Sequence, residues 1–243
     1  MISATVSRVR EQVAWACRIL ALEGYTDLTL GHASARADDS YTIYIKRKGP
    51  GLDEVCPDDI VAVDLRDPDG LSASDLHLET AMHTEVYRAR ADVGGVIHGH
   101  PPFATALGAT GAGLEFLTHD AALFADGLPV FDETPSLILD VVGGRAVANA
   151  LGGHRALLLR NHGALIAGRD LRWAVLTAVT LERAIRLQTI AVSLGSLRGF
   201  SQTWADRILP VKYQEAFLDE YWSAWIRRVR RSPGQGELWG GAQ

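Results

Sequence analysis

Hydrophobic positions along the chain recur at two spacings, one helical and one alternating. Val6, Val9, Val13, Ala16, Cys17, Leu20 and Ala21 recur at helical intervals among Arg8, Arg10, Glu11 and Arg18, which predicts an amphipathic helix over residues 3–23. Ser3 suits its N-cap and Gly24 the position just past its end. Residues 29–36 form a glycine-containing connection into a strand, and residues 41–46 alternate apolar or aromatic with polar side chains, as a strand does. Residues 58–65 read as a short turn and a strand, and Pro68-Asp69-Gly70 as a turn. A helix is predicted over roughly 75–90 and a buried strand over 93–98.

Pro101-Pro102 ends that strand. Beyond it, helices are predicted at 103–108, 121–125 and 144–151, and strands at 114–117, 127–131, 156–159 and 163–166. A long helix follows over 171–192. The last predicted helix, 212–231, carries Phe217, Tyr221, Trp222, Trp225 and Ile226 on one face and closes on Arg227, Arg228, Arg230 and Arg231, which suit a helix C-terminus. Its aromatic face fits a neighbouring subunit, a lid over a site, or ordinary core. Residues 232–243 are rich in glycine and polar residues and are expected to be disordered. Helices alternate with strands and no linker interrupts them, so one α/β domain is expected over 1–231.

Composition narrows the function. The 243 residues carry 24 basic and 29 acidic side chains, a formal charge of −5, which gives no support for nucleic-acid binding. Cys17 and Cys56 stand far apart and indicate neither a disulfide framework nor a zinc knuckle. No signal peptide and no membrane-length apolar run is read, so a cytoplasmic protein is expected.

The chemistry gathers at the end of the strand at 93–98. Residues two apart on a strand face the same way, so His98 and His100 aim two imidazoles at one place. Glu79 and His83, four apart on the predicted helix, share a face. Arg160-Asn161-His162-Gly163 follows another apolar run and supplies a third imidazole. Three histidines with a nearby carboxylate make a plausible divalent-metal site. His83 alone reads equally as a structural histidine, and His162 alone as part of a polar turn. A cupin would place a glutamate soon after the paired histidines, but Ala104 and Thr105 stand there. A metal-dependent amidohydrolase barrel would carry the pair near its start. Lys46-Arg47-Lys48, before Gly49-Pro50-Gly51, is either an anion-binding turn or a solvated basic loop.

Glu79-xxx-His83, then Tyr87, Arg90, Val93 and Val96 leading to His98-x-His100-Pro101, then Asn161-His162-Gly163 with Gly168 beyond, resembles the class II aldolase/adducin family. Gly31-His32-Ala33-Ser34-Ala35-Arg36 sits where that family carries a Gly-Asn-x-Ser-x-Arg type motif. The resemblance spans about residues 8–200. It implies a three-layer α/β/α fold with a mainly antiparallel central sheet, and a homotetramer with sites at subunit interfaces. It implies His98, His100 and His162 as ligands of a divalent metal, zinc foremost, with manganese, iron or cobalt also suited to imidazole. Glu79 would be the catalytic acid/base and a further ligand when substrate is absent. His119, where relatives carry an interface tyrosine, would be an acid/base reaching a neighbouring subunit. The adducin branch lacks the metal histidines, so keeping them favours an enzyme over a scaffold.

Sugar-phosphate aldolases of the family hold phosphate with hydroxyl-bearing residues and glycine amides. Here His77-Leu78 precede Glu79, Lys46-Arg47-Lys48 replaces a Thr-Gly region, and His32 replaces an asparagine. With Ser34, these residues are the candidate substrate contacts. The pattern is more similar to the branch that decarboxylates hydroxylated aromatic or ring-cleavage acids. The expected activity is a metal-dependent carbon–carbon lyase acting on a small carboxylic acid, with aldol cleavage of a hydroxy-keto or sugar-like substrate as the alternative. In both, the metal would act as a Lewis acid on the electron pair left behind, an enolate or phenolate.

Overall fold

The computed structural model describes residues 4–67 and 74–232. Helix α1 (Ala4–Leu22) is followed by strands β1 (His32–Arg36), β2 (Thr42–Lys46) and β3 (Ile60–Asp64). Helix α2 (Thr80–Ala89), β4 (Gly95–Gly99) and α3 (Pro102–Gly108) come next, then β5 (Val130–Phe131) and α4 (Val141–Leu151). The hairpin β6 (Ala156–Leu159) and β7 (Gly163–Gly168) leads to α5 (Leu171–Leu194), α6 (Gln202–Lys212) and α7 (Glu215–Arg231).

The strands form one seven-stranded sheet in the order β3-β2-β1-β4-β7-β6-β5. Every pairing is antiparallel except β5 with β6. The sheet is therefore mostly antiparallel, as expected.

Alternation along each strand feeds two cores, because both faces of the sheet are covered. Ala33, Ala35, Ile97, Ala164 and Ile166 pack with residues of α1, α3 and α5. Ile43, Ile45, Val96, Leu157 and Leu165 pack on the opposite face with Met82 and Val86 of α2 and Val147 and Leu151 of α4. Two positions in β4 and its approach require glycine: a Cβ on Gly95 would lie 2.5 Å from the Leu171 Cα, and one on Gly94 would lie 2.4 Å from the Arg169 carbonyl.

Several expectations are corrected. Helix α2 starts at Thr80 rather than near Asp75, so Glu79 is its N-cap residue and shares no helical face with His83. The Glu79 carboxylate makes no capping bond; it accepts instead from the Ile138 amide at 3.0 Å. Residues 114–117 form no strand, because their backbone bonds go elsewhere: the Glu115 amide donates to Gln188 Oε1 of α5, the Leu117 amide to the Glu115 carbonyl, and the Phe200 amide to the Phe116 carbonyl. The helix expected from Lys212 begins at Glu215, and the sequence reading missed α6. Helix α6 carries Pro210 and buries only Ala205, so little apolar periodicity announces it.

Trp225 is buried in the core between α1, α5 and α7 and donates from Nε1 to Glu23. Of the three readings of the aromatic face, ordinary core therefore holds for Trp225. Among the described residues, no helix is long and apolar enough to cross a membrane. The Pro68-Asp69-Gly70 turn, Ser3 and the tail beyond Ser232 lie outside the described residues.

Candidate metal centre

Strand β4 ends at the site. His98 is its fourth residue, paired across the sheet with His32 on one side and Leu165 on the other. His100 follows two residues on. His162 comes from the β6–β7 connection, where Asn161 takes a left-handed backbone (φ 56°) that asparagine tolerates better than most residues. Gly163 lets this turn close against β4, since a Cβ there would sit 2.4 Å from the Gly99 carbonyl and 2.7 Å from the His100 ring.

One ligand atom from each of Glu79, His98, His100 and His162 lies within 4.8 Å of the others. Glu79 Oε2 is 3.4 Å from both His98 Nε2 and His162 Nε2. That is the edge of a tetrahedron whose metal–ligand bonds are about 2.1 Å.

Hydrogen bonding decides what these atoms offer. His98 Nδ1 lies 3.1 Å from the Ala164 carbonyl, which can only accept, so Nδ1 carries the proton. His100 Nδ1 likewise donates to Asp27 Oδ2 at 2.6 Å. In both neutral rings Nε2 is then a bare lone pair, and both Nε2 atoms are buried without a hydrogen-bond partner. A lone pair of His98 therefore faces a carboxylate oxygen of Glu79. Acceptors facing each other in a buried place fit a shared cation, and a carboxylate holding the rear nitrogen of a ligating histidine is the usual second layer of such a site. Burial opposes ionisation of Glu79, whereas the hydrogen bond from the Ile138 amide favours it.

These groups open on a cleft of about 430 Å³ lined by Asp27, Gly31, His32, His77, Glu79, His100 and His162, with Leu30, Leu78 and Leu137 at its apolar wall. His32 and His77 lie side by side, ring centroids 4.5 Å apart and ring planes tilted by 35°. Behind His77, Lys46 is fully buried and donates to the carbonyls of Thr29 and Arg47 and to His77 Nε2 at 3.1 Å. No carboxylate of the described residues pairs with it. Burial lowers the Lys46 pKa, and burial together with the Lys46 charge lowers that of His77 to about 4. Ser34 lies beneath the cleft rather than in it, bonded to His83 and Tyr87.

The remaining sequence candidates lie elsewhere. Arg47 pairs with Asp59 at 2.7 Å and Lys48 is exposed, so neither lines the cleft. His119 is exposed, its ring 6.4 Å from that of Phe200, and it does not line the cleft of its own chain. Sequence reasoning missed Asp27, separated from His100 by 73 positions with no motif to join them. It also missed the Ile138 amide that anchors Glu79. His77 was visible only as a departure from the family pattern.

Comparison with known proteins places the chain. The Class II Aldolase and Adducin N-terminal domain matches residues 11–189. The 3,4-dihydroxyphthalate decarboxylase of Arthrobacter keyseri is 33% identical over 211 residues, 79% of this chain and 82% of that protein. An aldolase II superfamily protein from Pseudomonas syringae superposes with a TM-score of 0.83 at 26% identity, covering 97% of both chains. L-fuculose 1-phosphate aldolase from Glaciozyma antarctica PI12 has the same fold, with a TM-score of 0.79 at 20% identity over 94% of each chain.

Proposed function

The chain is a lyase-type enzyme of the class II aldolase and adducin family, and we propose that it decarboxylates a hydroxylated aromatic acid of the dihydroxyphthalate kind, or a related ring-cleavage acid, with a divalent metal. The observation that carries this reading is the convergence of three imidazoles and one carboxylate beside a buried, carboxylate-free lysine. His98, His100 and His162 would hold the metal, with Glu79 completing the set when substrate is absent. Imidazole ligands suit zinc first, then manganese, iron or cobalt. When bound, the metal supplies Lewis-acid stabilisation of negative charge on substrate oxygens.

The protein's own groups do the rest. The leucines of the cleft wall accept an aromatic ring. Lys46, acting through His77, places positive potential where a substrate carboxylate would sit. The bond from ring carbon to carboxylate breaks, carbon dioxide leaves, and the electron pair stays on the ring carbon. Glu79 Oε2 takes up a proton from a substrate hydroxyl and passes it to the ring carbon, a role for which its place between His98 and His162 suits it. His119, exposed on its own chain, is assigned to the cleft of a neighbouring copy in a homotetramer, as a second acid/base.

The second reading is aldol cleavage, favoured by the fold shared with the fuculose phosphate aldolase. The missing hydroxyls and the added imidazoles of the anion side argue against a sugar phosphate. Metal analysis of purified protein, followed by carbon dioxide release from ortho-hydroxylated aromatic acids, separates the two. Near one metal per chain with carbon dioxide release is expected. Aldehyde release from hydroxy-keto substrates, with no carbon dioxide, would transfer the assignment to the aldolase. Protein that binds no metal under replete conditions would overturn both.

A further inference from the structure

A buried string of hydrogen bonds runs from the core to the cleft. Tyr87 OH donates to the Ser34 carbonyl at 3.0 Å and lies 2.9 Å from Ser34 Oγ. Ser34 Oγ lies 2.7 Å from His83 Nδ1, and His83 Nε2 lies 2.8 Å from His32 Nδ1. Tyr87, Ser34, His83 and His32 are all buried, and His32 alone of the four lines the cleft.

Counting protons fixes the direction of the string. The Tyr87 hydroxyl has one proton, and its bond to the Ser34 carbonyl uses it. Ser34 must then donate to the Tyr87 oxygen, which leaves Ser34 Oγ to accept from His83 Nδ1. His83 Nε2 is consequently a lone pair and accepts from His32 Nδ1. All four contacts are satisfied. In the opposite direction Tyr87 donates to Ser34 Oγ, Ser34 to His83 and His83 to His32, and the bond to the Ser34 carbonyl is lost. A buried network settles in the arrangement that satisfies every member.

We propose that this string holds His32 in the Nδ1–H tautomer, so that its Nε2 lone pair accepts a hydrogen bond from a substrate hydroxyl in the cleft, with Ser34, His83 and Tyr87 as positioning residues. Among the described residues Nε2 has no hydrogen-bond partner. The proposal rests on the reading of this cleft as the substrate site and goes beyond it in assigning the two sides. A carboxylate or phosphate oxygen has only lone pairs and is repelled by another. A hydroxyl, by contrast, has a proton to offer to such a lone pair. His32 therefore recognises the hydroxyl, and the carboxylate belongs on the His77–Lys46 side.

The test is nitrogen NMR on zinc-loaded protein labelled with 15N-histidine, at neutral pH. Long-range proton–nitrogen correlations distinguish the two tautomers of each ring. Wild type is expected to show His32 protonated at Nδ1 and bare at Nε2; the reverse tautomer overturns the proposal without any variant. Tyr87→Phe keeps the ring and removes the hydroxyl, so Ser34 turns its proton to His83. His32 should switch to the Nε2–H form, and an unchanged tautomer would sink the string. Calorimetry with 3,4-dihydroxybenzoate as probe should show about tenfold weaker binding to Tyr87→Phe at equal zinc content. Equal binding, or none to wild type, overturns the hydroxyl assignment. Failure to release carbon dioxide from any acid would instead strike the decarboxylase reading and leave the tautomer standing.

Discussion

Asp27 Oδ2 lies 2.6 Å from His100 Nδ1 and fixes which nitrogen of that ring is free. The loop before β1 thereby sets the ligand geometry at the end of β4. Asp27→Ala removes the acceptor, lets the His100 ring change tautomer and rotate, and exposes the Nε2 lone pair to competition from protons. Loss of such a partner weakens metal binding by about 10–100-fold. Competition against a chromophoric chelator measures this. Affinity within twofold of wild type would show that Asp27 does not orient the ligand.

Glu79 is held at one oxygen by the Ile138 amide and offers the other between His98 and His162. Glu79→Gln keeps the size and a carbonyl oxygen for the amide bond but cannot deliver a proton. Turnover should fall by about 10²–10⁴-fold, with KM little changed and metal content maintained by the three imidazoles. Metal analysis and steady-state kinetics on the same preparation check both halves. Normal turnover in a metal-replete variant would remove Glu79 from the chemistry.

How much of this could be read in the chain depends on sequence distance. His98 and His100 declared themselves because a strand repeats every two residues, and His162 because it too follows an apolar run, although Asn161-His162-Gly163 alone reads as a polar turn. Glu79 was singled out by its helical spacing to His83, a wrong structural reason: residues 74–79 turn rather than wind into α2, so the carboxylate reaches the cleft from outside the helix. Asp27 was invisible, since nothing local marks an aspartate that will meet a histidine 73 positions away. The strand expected at 114–117 failed for a similar reason. Its Glu115 amide goes to Gln188, a side chain no periodicity in that segment could reveal, and its Phe116 carbonyl accepts from the Phe200 amide.

The three cations at 46–48 are alike in sequence and unlike in the fold. Lys46 is buried behind His77, whereas Arg47 is paired with Asp59 and Lys48 is exposed. Lys46→Met should raise KM for a carboxylate substrate by about tenfold or more, while Arg47→Ala and Lys48→Ala stay within about twofold of wild type. Kinetics across the three variants separate a buried electrostatic wall from a surface funnel. Equal losses in all three would favour the funnel.

Gly163 offers a steric test of how the site is assembled. A Cβ there would lie 2.4 Å from the Gly99 carbonyl and 2.7 Å from His100 Cδ2, so β7 and β4 could not keep their present separation. Backbone cannot move aside as a flexible side chain can. Gly163→Ala should therefore destabilise the protein by roughly 1–3 kcal/mol and displace His162 and His100 from each other. Denaturant unfolding of metal-free protein reads the first effect, and metal affinity of the folded protein reads the second. Gly153→Ala is the control, because a Cβ at that position meets nothing within 4 Å. If Gly163→Ala matched this control in both measurements, the close approach of the two strands would not be what brings the third imidazole to the site.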